Sequence, residues 1–277
     1  MGFLTGRFRL DPKKTEVPVE KGIFSWFGYV LPMEERFSMI HDAGFSSVML
    51  WWGADFDRVP GEYLTHPELA RSYGLRVENA HLPYYTANEL WTGGAFEALL
   101  LDGLRNCAAR DVPVLVAHIS EGEEAPEPTQ RGIDALLRAA ELCERLNVRL
   151  ALENVYRTPH LDTVLPLIDS EKVGFCYDIG HDRVGYGRSH ILLERYADRL
   201  MALHLHDNDG SGDQHRLPFD GDVDWLSFAQ ILPKTAYRGA LTLEIDQQDW
   251  QNPDRISPKD YLAEGYARTC RLESLFN

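Results

Sequence analysis

Acidic or imidazole residues close six successive apolar runs of the chain: His81, His118, Glu153, Asp178, His204 and Glu244. Burying such groups without partners costs on the order of several kcal/mol each. A bound metal ion offsets that cost and fixes their geometry. The set offers carboxylate and imidazole donors and no thiolate, which suits Zn²⁺, Mn²⁺, Co²⁺ or Fe²⁺ and disfavours Ca²⁺. Taken singly, each residue has a plainer role. His118 would serve as a hydrogen-bonded core histidine, Glu153 as an ion-pair partner of Arg157, and Asp178 as a cap for the following turn. Six such ends together favour one shared metal site. Two further clusters follow at once. Asp178-Ile-Gly-His181 sets a second imidazole one turn beyond the aspartate. In the stretch from His204 through His206 to Asp213 and His215, alternation along a strand turns His204 and His206 to the same side. The Gly-Ser-Gly turn that follows can fold Asp213 and His215 back over the site, or they belong to a polar surface loop.

These residues need a scaffold that gathers strand ends. β-rich runs are expected at residues 22–27, 46–51, 75–81, 112–118, 148–153, 173–178, 200–206 and 240–245. Several are almost continuously apolar, as in parallel strands buried on both faces. Helical periodicity fills the intervals at 33–43, 95–109, 132–146, 160–168, 190–196, 225–231 and 259–275. Eight strand–helix units predict an α/β fold, a single-domain (β/α)8 TIM barrel spanning residues 21–277, with 1–20 as an N-terminal extension. In such barrels the chemistry sits at the C-terminal strand ends, where the six residues fall. No G-x-G-x-x-G follows the first strand and no P-loop occurs. The acidic stretch 121–130 reads as a solvated βα loop.

The 277 residues carry 28 Lys+Arg against 43 Asp+Glu, a net charge of −15, with 44% hydrophobic and 26% charged residues. That balance is ordinary for a globular enzyme and excludes disordered and fibrous classes. It weighs against a nucleic-acid partner and favours a small molecule or a metal ion. No apolar run reaches the roughly 18 residues of a membrane span, and the first residues lack a signal-peptide core, so no membrane partner is expected. Four scattered cysteines, Cys107, Cys143, Cys176 and Cys270, read as thiols in a reducing cytoplasm. The oligomeric state is open, a homo-oligomer included.

The motifs His81-Leu-Pro-Tyr, Asn88-Glu-Leu-Trp91, Leu152-Glu153-Asn154, Asp178-Ile-Gly-His181, His204-Leu-His-Asp207-Asn and Leu243-Glu244 together resemble the xylose isomerase-like TIM barrel superfamily, from about Gly22 to the C-terminus. That superfamily includes sugar isomerases and epimerases and the endonuclease IV type of DNA-repair enzyme. The resemblance implies a metal-dependent isomerase or epimerase of a small sugar. One divalent ion, Zn²⁺ or Mn²⁺, would be held by Glu153, Asp178, His204 and Glu244. Glu153 and Glu244 would also exchange the proton of an enediolate. His81, His118, His181, His206, Asp213 and His215 would be further metal or substrate ligands, and Trp52, Tyr84, Trp91, Arg157 and Arg216 would contact substrate. Trp51 would be core packing or a sugar platform, and Arg183 and Arg188 would be cations for a sugar phosphate. The alternative is a phosphodiesterase acting at abasic sites in DNA. Its three zinc ions would be held by His81, His118, Glu153, Asp178, His181, His204, Asp213, His215 and Glu244. Against it, the glycine-rich histidine motif of those nucleases is absent near the first strand. The epimerase arginine after the strand-seven histidine is absent too; that region reads Asp209-Gly-Ser-Gly, and the nearest arginine is Arg216.

Overall fold

Apolar and β-branched runs dominate eight short strands, which pair only in parallel. They are β1 (Lys21–Phe24), β2 (Ser47–Trp51), β3 (Arg76–His81), β4 (Val114–His118), β5 (Arg149–Glu153), β6 (Val173–Asp178), β7 (Leu200–His204) and β8 (Leu241–Leu243). The computed structural model describes residues 19–122, 124–155, 159–247 and 256–276. Strands follow one another in chain order around the sheet, with β8 beside β1. The seam between β7 and β8 is closed by a parallel bridge of Leu205 with Leu243. There Leu205 N donates to Thr242 O at 2.9 Å, and Glu244 N donates to Leu205 O at 3.0 Å. The result is the expected single-domain barrel.

Register decides what meets at the mouth. His118 lies beside Glu153 across β4 and β5, and Asp178 lies beside His204 across β6 and β7. Beneath them the barrel interior is filled by small and branched side chains, Val114, Val116, Ala151, Cys176 and Ala202. This packed floor closes the barrel beneath the mouth. Outside, the helices bury apolar stripes against the strands. In the helix Gln130–Leu146 the buried residues Ala135, Leu136, Ala139, Ala140, Leu142 and Cys143 recur at helical spacing. Asn147 ends it in the left-handed conformation, at φ 54°.

Three short helices were not legible as periodic runs: His66–Ser72, Glu89–Thr92 and Ile179–Tyr186. The first two are too short to display a periodic face, and the third carries Gly180 and Gly185. Its start is fixed instead by Asp178, whose carboxylate accepts from His181 N at 2.6 Å. The capping role expected of a lone Asp178 is therefore real, and it coexists with a place at the mouth. All four cysteines are free, and among the described residues no helix is long and apolar enough to cross a membrane.

Candidate metal centre

Glu153, at the end of β5, is the hub. Its Oε2 is 3.0 Å from His81 Nε2 and 3.1 Å from His204 Nδ1, and its Oε1 is 3.4 Å from His118 Nε2. His204 Nδ1 is also 3.1 Å from Glu244 Oε2. Ligand atoms of Glu153, Asp178, His204 and Glu244 all lie within 4.8 Å of one another. The triplets His81–His118–Glu153 and His206–Asp213–His215 meet the same limit.

The loop after β7 supplies the outer group. Asp207 and Arg216 pair as an antiparallel bridge, which folds the intervening segment back over the barrel. Four donors satisfy the buried Asp207 carboxylate: Asn208 N at 2.9 Å, Val223 N at 3.1 Å, Phe219 N at 2.8 Å and Trp225 Nε1 at 2.8 Å. Asp213 thereby reaches His181 Nε2 at 3.3 Å and His215 Nε2 at 2.9 Å. His206 faces the same side as His204, with Nε2 3.1 Å from Asp178 Oδ2, and its ring stacks on His215 at 4.2 Å. Gly180 is required here, because a Cβ would stand 1.9 Å from His206 Cε1.

Tautomers show what the cluster lacks. Nδ1 of His81, His181 and His215 each donates to a backbone carbonyl, of Leu82 at 2.8 Å, Asn154 at 2.9 Å and Glu244 at 2.7 Å. In the neutral ring, Nε2 is then a bare lone pair, and in all three it faces a carboxylate. Neither nitrogen of the fully buried His204 makes a hydrogen bond of good geometry, and Asp213 Oδ1 and His206 Nδ1 also lack one. Lone pairs aimed at carboxylates repel unless a cation lies between them. The donor set therefore fits a divalent metal ion.

Protonation answers the same need without metal. Burial alone would lift the Glu153 carboxyl, but His204 and His118 outweigh it and hold it well below the usual range. Burial disfavours the charged form of His118, yet Glu153 and Glu121 raise it to about 9. His215 is likewise raised to about 10, burial being outweighed mainly by Asp213.

Above the cluster is a cleft of about 290 Å³, lined by the ligand groups on one side and by Phe24, Trp26, Trp51, Phe56, Tyr84 and Tyr85 on the other. Trp51 stacks on His81 at 5.7 Å, and Tyr84 stacks on His118 at 4.8 Å. Among the described residues expected to contact substrate, Tyr84 and Trp51 line this space. Trp52 is buried against Tyr63, because alternation after the cleft-facing Trp51 turns its side chain outward. Trp91 is buried against His160, with Nε1 donating to Ile119 O. Arg216 pairs with Asp209 and Arg183 with Asp222, both away from the cleft. Arg157 lies outside the described residues. Sequence reading missed Trp26, Phe56, Glu121 and Asp246, which all line the cleft. The only signal for Glu121 was its place three residues after His118.

Residues 37–269 match the family model described as xylose isomerase-like TIM barrel. The uncharacterized protein y4fM of Sinorhizobium fredii is 31% identical over 202 residues, 67% of this chain and 62% of that protein. An inosose dehydratase of Geobacillus kaustophilus is 35% identical over 137 residues, 42% of this chain and 44% of its own. The chain thus spans less than two thirds of the length of either relative. Among solved structures, a D-psicose 3-epimerase from Clostridium cellulolyticum H10, solved with D-tagatose, superposes with a TM-score of 0.76. It covers 93% of this chain and 99% of the epimerase at 12% identity, a likeness of fold. The family match spans most of the barrel and takes in every strand-end residue from His81 to Glu244, so the chain belongs to the xylose isomerase-like TIM barrel family.

Proposed function

We propose that the protein is a divalent-metal-dependent enzyme that isomerises or epimerises a small sugar or sugar derivative through an enediolate. The observation that carries this reading is the convergence of Glu153, Asp178, His204 and Glu244 within 4.8 Å. These four residues would hold the ion. A divalent ion there supplies Lewis-acid stabilisation of the negative charge that develops on a carbonyl oxygen. Glu153 and Glu244 approach this point from β5 and β8. One carboxylate takes the proton from the carbon beside the carbonyl and leaves a planar enediolate, and the other carboxyl returns a proton to it. Return to the opposite face inverts the centre, and return to the neighbouring carbon of the enediolate isomerises the sugar. Trp51 and Tyr84 present ring faces to the cleft and limit water around the anionic intermediate. Similarity to proteins named as a D-psicose 3-epimerase and an inosose dehydratase supports a sugar-like substrate.

The test is elemental analysis of the purified protein, followed by incubation with D-tagatose, D-psicose and an inosose in D₂O. Bound divalent metal with chelator-sensitive deuterium uptake beside the carbonyl is the expected result. Metal-free protein that gains no exchange activity on adding Mn²⁺, Co²⁺ or Zn²⁺ defeats the reading. A second reading, a trinuclear zinc phosphodiesterase at abasic sites, is favoured by one observation. His81, His118, His181, Asp213 and His215 gather around the same four residues. Three zinc ions per chain with incision of abasic duplex DNA would replace the first reading by the second.

A further inference from the structure

Of the four histidines whose Nδ1 has a partner around the hub, His118 differs in its acceptor. Nδ1 of His81, His181 and His215 donates to main-chain carbonyls, which the fold supplies whatever the side chains are. Nδ1 of His118 has a side-chain partner instead, Glu121 Oε2 at 3.1 Å. Glu121 does not swing freely, although it sits in the long loop between β4 and the helix Gln130–Leu146. Asn88, from the loop after β3, grips its backbone at both ends. Asn88 Oδ1 accepts from Glu121 N at 2.9 Å, and Asn88 Nδ2 donates to Glu121 O at 2.8 Å. Trp91, one turn further along, donates from its indole to Ile119 O and accepts at its own carbonyl from Thr129 Oγ1 at 2.8 Å. Both marked residues of the Asn88-Glu-Leu-Trp91 motif thus pin residues 119–121 instead of reaching the cleft. What they deliver is a half-buried carboxylate behind the His118 ring, with Tyr84 stacked over its face.

We infer that Glu121, held by Asn88, is a positioning residue: it fixes the ring of His118 so that Nε2 faces Glu153 Oε1 as a further ligand of the ion. The contact in question is the one at 3.4 Å. A carboxylate behind a histidine fixes both tautomer and orientation, and such outer partners change metal affinity by about 10–100-fold when removed. The inference rests on the metal-site reading above, and the test separates the two.

Co²⁺ is the probe, titrated into the metal-free full chain and followed by visible absorption. The variants are Glu121→Ala, Glu121→Gln, His118→Ala and the double variant Glu121→Ala/His118→Ala. Glu121→Ala should weaken Co²⁺ binding by about 10–100-fold. Glu121→Gln should weaken it less, because its amide oxygen still accepts from Nδ1. The double variant should bind no more weakly than His118→Ala alone, since Glu121 acts only through that ring. Glu121→Ala should keep the wild-type fold by circular dichroism, and its loss of Co²⁺ affinity should vanish in the His118→Ala background, which a purely structural role would not allow. Wild-type affinity and spectrum in Glu121→Ala would overturn the inference, as would additive losses in the double variant. A wild-type protein that binds no Co²⁺ would instead overturn the metal site itself.

Discussion

Two buried polar clusters, one at each end of the barrel, use the same kinds of residue to opposite ends. Near the start of β3, Glu78 is almost fully buried, yet donors surround it. Tyr237 Oη at 3.1 Å and Ala240 N at 2.9 Å reach one oxygen, and Arg76 at 3.0 Å and Ser47 at 3.4 Å reach the other. Its charge is answered from within the chain. At the mouth, Glu153, Asp213 and Glu244 face imidazole nitrogens that in the neutral rings have their protons committed elsewhere or that have no hydrogen bond, whereas Asp178 accepts from His181 N and faces His206 Nε2. A satisfied cluster holds a fold together, whereas a cluster of acceptors facing acceptors is completed from outside. The bottom cluster is structure, and the mouth is the cluster that the proposed cation would complete.

The sharpest way to break this contrast is at the hub. Glu153→Gln and Glu244→Gln each keep the shape and remove the charge and the proton acceptor. Turnover should fall by about 10³-fold, within the range typical of acid–base groups. Near-wild-type rates in either variant would end the two-glutamate mechanism.

Next comes a comparison of chelation with a change at the other end. An ion present at about 100 times its Kd adds roughly 2.7 kcal/mol to stability, so chelation should lower the wild-type Tm by roughly 5 °C. Glu78→Gln turns an acceptor into a donor facing donors and should cost about 1–3 kcal/mol. Melting curves with and without chelator should show that loss in both conditions. A chelator-dependent loss in Glu78→Gln would erase the distinction between the two ends.

Gly180→Ala acts between fold and site. A methyl group 1.9 Å from His206 Cε1 must push that ring off Asp178. Overpacking of this kind costs about 1–3 kcal/mol. Because His206 bridges Asp178 and the Asp213–His215 loop, metal affinity should drop along with thermal stability. Stability loss with unchanged affinity would detach His206 from the site.

The barrel was legible because each strand is an apolar run ended by punctuation, and because the chain alternates these runs with helix-spaced ones. The convergence of the strand-end residues was legible for the same reason, since polar residues at apolar strand ends stand out. Other features depend on contacts distant in sequence. Trp52 and Trp91 read as substrate platforms because sugars stack on aromatic faces. The outward turn after β2 and the Trp91 bond to Ile119 bury them instead. Glu121 sat in an acidic loop that reads as solvated, and only the grip of Asn88, 33 residues away, carries it to His118. The helix Ile179–Tyr186 was hidden by its glycines, and its cap is Asp178, which also reads as a metal ligand.

The smallest expected effect concerns pH, and it tests whether protons and metal compete for one space. In the metal-free protein His118 is raised to about 9 from its ordinary 6.5 by Glu153 and Glu121, which outweigh its burial. Its stabilising contribution is then fully present below about 6.5 and is lost as pH rises through about 9. His215, raised to about 10, adds to the same decline. Glu153 behaves oppositely. Its carboxyl is held below the ordinary 4.5, so its contribution exists above that value and disappears only as the medium becomes strongly acidic. Metal-free protein should therefore lose stability between pH 6.5 and about 9. Metal-loaded protein should hold or gain over that interval, because an ion needs the imidazoles deprotonated and binds more tightly as pH rises. Denaturant midpoints measured across this window, with chelator and with saturating Mn²⁺ or Zn²⁺, should diverge as the solution becomes alkaline. Parallel profiles would mean that the ion and the protons occupy separate places, and that the mouth is neutralised from within, as Glu78 is.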